Sequence, residues 1–226
     1  MGITRSQFEL QLEGLRDRLL EMGNDADSMV ARSMQALMDR DALLADRVVE
    51  SDDIMDTLDL EIEAECMRLL ALQHPLARDL RLVGTALKVV TDLERIGDHA
   101  VDIAKVARKL ARTGFYATLV DLPRMASSVR RMLNMALEAF VKHDLDLVAA
   151  VVEADDEVDL QFHTIRDELH DIMSREPKQV VQASYMLFVA HYLERMADHA
   201  VNIAERVSYV ETGRLTQLAY SHKTRS

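Results

Sequence analysis

Two stretches of this chain carry the same acids at the same spacing. Glu94 is followed four residues later by Asp98, and Glu194 by Asp198. Residues four apart share one face of a helix, so each pair projects its carboxylate oxygens side by side. Asp52 with Asp56, and Asp155 with Asp159, repeat the spacing upstream, and Asp53 and Asp156 stand beside them. Four carboxylates gathered at one level repel one another, and a hard cation bridged by their oxygens relieves that repulsion. The candidate metal ligands are therefore Asp52, Asp56, Glu94, Asp98, Asp155, Asp159, Glu194 and Asp198. Oxygen-only ligation favours magnesium, manganese or iron over a structural zinc site, which prefers Cys and His. Two other readings stand beside metal. The acids form solvated helix faces, or Arg95 and Arg195 neutralise them as ion pairs.

Other chemistry finds little support in the residues. His99 and His199 follow the aspartates directly, about 100° round the helix from them, which places them beside the acids or at an interface rather than among the ligands. Glu94 and Glu194 are followed at i+3 by Gly97 and Ala197, so the Glu-x-x-His pairs of di-iron bundle enzymes are missing. There is no Gly-rich phosphate loop, no nucleophile paired with a base, and no basic face to hold free phosphate. No catalytic residue is assigned and the chain is not expected to be an enzyme. Asp102 extends the first acidic ladder by a turn where Asn202 is neutral, so the two sites differ in charge. A net charge of -12 excludes a nucleic-acid surface, which needs clustered Lys and Arg. The one cysteine, Cys66, excludes an internal disulfide and a thiolate-rich metal site, and is expected to be core filler.

The elements that position these acids come from an internal repeat. Leu93-Glu-Arg-Ile-Gly-Asp-His-Ala-Val-Asp-Ile-Ala-Lys105 aligns without gaps onto Leu193-Glu-Arg-Met-Ala-Asp-His-Ala-Val-Asn-Ile-Ala-Glu205. Val48-Val-Glu-Ser-Asp-Asp53 matches Val151-Val-Glu-Ala-Asp-Asp156 in the same order, with Pro75 and Pro177 between the blocks. Breakers divide each half into three helices, because proline removes a helix hydrogen bond and glycine and aspartate favour ends. The six run over residues 4–38, 42–72, 76–112, 122–142, 145–174 and 178–211, the first with a kink near Gly23-Asn24. Apolar steps of three and four mark packing seams. One reads Leu44, Val48, Met55, Leu58, Ile62 and Leu69, and its copy Leu147, Val151, Val158, Ile165 and Ile172. In the third-helix seam, from Leu80 to Ala104, Glu94 takes a core slot; in the copy, from Val180 to Ala204, Glu194 does.

The fold expected is all-α: two tandem three-helix bundles placed end to end, with no strand. Residues 1–113 form the first repeat and 121–213 the second, joined by a linker over 113–120 and followed by a loose tail over 214–226. No stretch reaches the length of apolar chain that spans a bilayer, and a soluble, cytoplasmic protein without membrane insertion is expected.

The repeated Leu-Glu-Arg-x-x-Asp-His-Ala-Val-x-Ile-Ala, the upstream Asp-Asp and His74-Pro-Leu-Ala-Arg-Asp-Leu-Arg81 together resemble the PhoU family of phosphate-uptake regulators over nearly the whole chain. The resemblance implies paired three-helix bundles, commonly a homodimer, with Glu/Asp-x-x-x-Asp motifs that carry metal ions or multinuclear clusters. Divalent or trivalent ions of iron, manganese, magnesium or zinc are the expected cofactors. It further implies a negative regulator of phosphate uptake and of the phosphate-starvation response. The implied partners are the nucleotide-binding subunit of the phosphate ABC transporter and a phosphate-sensing histidine kinase. The alternative is a carboxylate-bridged metalloenzyme or metal store on a helical bundle. His74-Pro75 departs from the Gln-Pro frequent in the family, and Arg175-Glu-Pro177 matches poorly, which bears on the loop's role in docking.

Overall fold

The structure, a computed structural model, describes residues 5–73, 75–112 and 121–218. His74, the linker over 113–120 and most of the expected tail lie outside the described residues. Seven helices follow in order: α1 (Arg5–Asp39), α2 (Ala42–Glu50), α3 (Asp52–Gln73), α4 (Ala77–Ala111), α5 (Leu122–Lys142), α6 (Leu145–Arg175) and α7 (Val180–Thr212). A 3-10 turn, Pro177–Gln179, leads into α7, and the described residues contain no strand. The six expected helices are all present, the second divided at Ser51 into α2 and α3. At this division Ser51 bonds back to α2: its N–H donates to the Arg47 and Val48 carbonyls and its hydroxyl to Arg47 O at 2.9 Å.

The helix starts repeat as the sequence does. Asp41 accepts hydrogen bonds from the Leu43 and Leu44 N–H groups, and Asp144 from those of Asp146 and Leu147. Each cap satisfies donors that a first turn leaves unpaired. Arg40 and His143, one residue earlier, both turn the chain with φ 57, the left-handed geometry that ends the preceding helix.

No break occurs at Gly23, and α1 runs unbroken through it. The glycine serves packing instead. A Cβ there would stand 2.6 Å from Leu137 Cδ1, so its absence lets α5 close on α1.

In the first bundle α1 and α4 clasp α2 and α3, and in the second α5, α6 and α7 pack together. The bundles do not sit end to end. They lie side by side, with α4 against α7 and α1 against α5. Helices α4 and α7 run antiparallel: Arg78 donates to Glu211 at 2.7 Å and Arg81 to Val210 O at 3.1 Å at one end, and Lys109 lies over the Tyr185 ring at the other. On the outer pair, Arg130 of α5 clasps Asp27 of α1 with two bonds of 2.8 and 2.7 Å. The reason is a second apolar face on both central helices. Val89, Leu93, Ile96, Ala100 and Ile103 are buried besides the seam of α4, as are Val189, Leu193, Met196, Ala200 and Ile203 on α7. Two such faces bury their area most fully against each other. The seams of the second and fifth expected helices face the core, with Leu44, Leu58, Leu147 and Ile172 half-buried and the rest buried, whereas Leu80 and Val180, at the first turns of α4 and α7, are exposed. No helix among the described residues is long and apolar enough to cross a membrane.

Candidate metal centre

Each candidate acid sits where α3 faces α4 or α6 faces α7. The Met55 side chain of α3 approaches within 3.3 Å of the place where a Cβ on Gly97 would lie, so α3 packs onto α4 beside Glu94 and Asp98. In the first repeat Asp52, Glu94 and Asp98 are half-buried and Asp56 is exposed. The second is drier: Asp155 and Glu194 are buried, and Asp159 and Asp198 half-buried. The core slot read for both glutamates thus holds fully for one. The Glu194 side chain keeps 10% of its surface in solvent and that of Glu94 21%.

The electrostatics of the two copies differ. Burial pushes the Asp52 carboxyl above its ordinary range, and Asp56 and Asp98 push it further. Glu94 is raised by burial and then by Asp98, against the pull of Arg95, with Asp59 and Asp56 adding to the rise. These carboxylates therefore feel one another across the α3–α4 groove. Asp59 belongs to the cluster and is itself raised by burial, Glu63 and Asp56. The repeat comparison missed it because its counterpart is Phe162. A signal was present all the same, since Asp59 follows Asp56 at i+3 on the same helix.

An arginine spans each pair. Arg95 Nε lies 3.3 Å from Glu94 Oε2, and its Nη1 donates to Asp98 Oδ2 at 2.9 Å. Arg195 does the same on α7, at 3.2 Å to Glu194 and 2.5 Å to Asp198. His191 adds a contact of 3.2 Å to Glu194, at a position where α4 has Thr91. Burial opposes the charge on Arg195, but the hydrogen bond to Glu194 and the nearby Asp198 outweigh it and hold its pKa above the usual value. The second copy thus has one side-chain contact to its glutamate that the first lacks.

As the side chains stand, no group of three His, Cys, Asp or Glu converges to hold a metal ion among the described residues. The ion-pair arrangement is the one the geometry displays. The donor set still fits a hard cation in kind. It is all oxygen, and in the first copy the neighbouring acids raise the Asp52 and Glu94 carboxyls despite the pull of Lys105 and Arg95. A cavity of about 190 Å³ between α5 and α6, lined by Asp121, Arg124, Leu160 and Gln161 among others, includes none of the eight candidate ligands.

The histidines are interface residues. His199 Nδ1 lies 2.9 Å from Asp92 Oδ1, which also accepts from Asn202 at 3.2 Å. His99 stacks on Tyr192 at 5.6 Å between ring centroids and approaches His199 at 5.9 Å. Sequence reasoning did not find Asp92 or Tyr192, which occupy one position of the repeat with unlike residues. Cys66 is buried, and burial pushes its thiol up to about 12, as suits core filler.

Comparison with known proteins agrees with this architecture. The family model described as "PhoU domain" matches twice, over residues 19–107 and 122–207. The phosphate-specific transport system accessory protein PhoU homolog of Clostridium acetobutylicum is 40% identical over 217 residues, 96% of this chain and 99% of that one. The crystal structure of PhoU from Pseudomonas aeruginosa is similar with a TM-score of 0.89 and 38% identity, covering 92% of this chain and all of that one. The crystal structure of the phosphate transport system regulatory protein PhoU from Streptococcus pneumoniae gives a TM-score of 0.88 at 30% identity, over 94% of this chain and all of that one. With two matched domains, near-complete coverage and the same fold, the chain belongs to the PhoU family of phosphate-transport accessory and regulatory proteins, which are not enzymes.

Proposed function

We propose that this chain is a cytoplasmic negative regulator of phosphate uptake and of the phosphate-starvation response. It acts as a metal-binding adaptor between the nucleotide-binding subunit of the phosphate ABC transporter and a phosphate-sensing histidine kinase, and works as a homodimer. Its relatives' names supply the link to phosphate transport. The observation that carries the adaptor reading is the arginine-spanned acid pair on a half-buried helix face, present once in each bundle.

A hard cation supplies concentrated positive charge to such carboxylates. Glu94, Asp98, Asp52 and Asp56 would hold such a cation from two helices, and it would offset the carboxylate repulsion that Arg95 now opposes. The charge of this face would then differ with and without the cation, and a partner that prefers one of the two would read the difference. Deleting the gene should derepress phosphate-starvation genes in high phosphate, and the tagged protein should co-purify with the transporter's nucleotide-binding subunit or the kinase. Normal repression in the deletion strain would remove the adaptor reading.

A further inference from the structure

Helix α3 is apolar on two opposite faces. One, formed by Met55, Ile62, Cys66 and Leu69, is buried in the first bundle. The other consists of Thr57, Leu60, Ala64, Met67 and Ala71, spaced by alternating steps of three and four, and all five are exposed. At 100° per residue these five fall within about 80° of arc, centred opposite the buried seam. Leu60 keeps 64% of its surface in solvent and Met67 56%. A continuous stripe at this spacing has the form of a helix-packing seam, unlike the scattered apolar residues of an ordinary surface.

The second repeat supplies an internal control. At the corresponding places α6 has Leu160, His163, Asp167, His170 and Ser174. The same fold position is therefore satisfied by a polar face, and the bundle does not need an apolar one there. Something outside the bundle accounts for the stripe on α3.

Charge decides what that is. Asp53 stands at the head of the stripe, Glu63 flanks one side, and Glu61 and Arg68 flank the other. Glu61 pairs with Arg18 of α1, and Arg68 is tied to Glu65 at 3.1 Å. Two copies of this face brought together would set acids against acids in a protein of net charge -12. A basic partner meets no such repulsion.

We propose that the exposed Leu60–Met67 stripe of α3 is a docking face for an amphipathic helix of a partner protein, one with apolar residues at three- and four-residue steps and Lys or Arg beside them. The idea rests on the adaptor reading only for the existence of a partner. Failure of that reading shows as normal repression in a deletion strain, whereas failure here shows in direct binding.

The test uses the full chain and two synthetic three-heptad peptides with Leu at the seam, one flanked by Lys and the other by Glu, followed by fluorescence anisotropy. The Lys peptide should bind the wild type, and pairing Leu60→Ser with Met67→Ser should weaken binding at least tenfold, while Leu160→Ser on α6 leaves it unchanged. The Glu peptide should bind at least tenfold more weakly. Ala64→Arg, which puts a like charge in the seam without removing apolar bulk, serves as a second variant should the double one melt early. Wild-type affinity in both seam variants, or equal binding of the two peptides, overturns the proposal. So does a wild-type dimer that the seam substitutions dissociate, since a second copy would then be the occupant.

Discussion

His199 of α7 holds Asp92 of α4 at 2.9 Å, and at the equivalent place across the seam His99 of α4 stacks on Tyr192 of α7. One contact is charged or polar and its counterpart is aromatic, although the backbone positions correspond. Burial and then the neighbouring His199 hold the His99 pKa below the ordinary 6.5, against the pull of Asp102 and Asp98, with His191 acting in the same direction as His199. A histidine of lowered folded pKa binds its proton more readily when unfolded, so stability is lost as pH falls below about 6.5. Replacing His99 with Phe, which keeps the stacking, should flatten the fall in Tm between pH 6.5 and 5. An unchanged slope in the variant would place the acid sensitivity elsewhere.

The acids of the first repeat make the opposite contribution. Asp52 and Glu94 have raised folded pKa values, so they bind protons more tightly when folded and cost stability as pH rises through their titration. Asp52→Asn should raise Tm at pH 7 in the metal-free protein and leave it nearly unchanged near pH 4. Thermal melts at the two pH values measure this directly, and a lower Tm at pH 7 would show that Asp52 is stabilised by a partner.

Metal content separates the readings of the acid pairs. Pairing Glu94→Gln with Asp98→Asn keeps side-chain size and removes charge, so bound manganese should fall by about half or more. The same pair at Glu194 and Asp198 should remove less, because Glu194 and Asp155 are more deeply buried and Glu194 is already contacted by Arg195 and His191. If the acids serve only their arginines, both variants lose stability with metal unchanged. A wild-type Tm insensitive to every divalent cation and to chelators ends the metal reading.

Gly23 and Leu137 should behave as a coupled pair. Gly23→Ala forces a methyl against a buried Leu137 side chain and should cost about 1–3 kcal/mol. Made in a Leu137→Ala background, the same change should instead stabilise, by up to about 1 kcal/mol from helix propensity. Urea melts of the four proteins give the coupling, and additive effects would show that α1 and α5 are not in this contact.

The duplicated caps allow a simpler check. Asp41→Ala and Asp144→Ala each remove two accepted hydrogen bonds and should cost about 1 kcal/mol. A loss at one site and none at the other would mean that the capping is not equivalent.

Much of this molecule was legible because it is written twice. The shared blocks around Glu94 and Glu194 disclosed the repeat, the six helices and the acids in one step, and the family resemblance rested on the same residues. What the comparison of halves hid was whatever the halves do not share: Asp59 opposite Phe162, His191 opposite Thr91, and Asp92 opposite Tyr192. The side-by-side arrangement was also missed. Its signal lay in Leu93, Ile96 and Ala100, apolar residues off the seam that had no partner in a three-helix bundle. A glycine inside a helix reads as a weak point, and only the position of Leu137 shows Gly23 also to be a point of close contact.

The antiparallel α4–α7 seam has an ancestral meaning. A half-length chain bearing one such helix would meet its twin across a true twofold axis, with both histidines near that axis and identical acid clusters on either side. Fusing the two copies into one polypeptide frees each cluster to change alone. Asp59 against Phe162 and Asp102 against Asn202 are changes of this kind, which two products of a single half-length gene could never show. Duplication has thus left one molecule with two unlike acid clusters, the first enlarged by Asp59 and Asp102 and the second touched by His191.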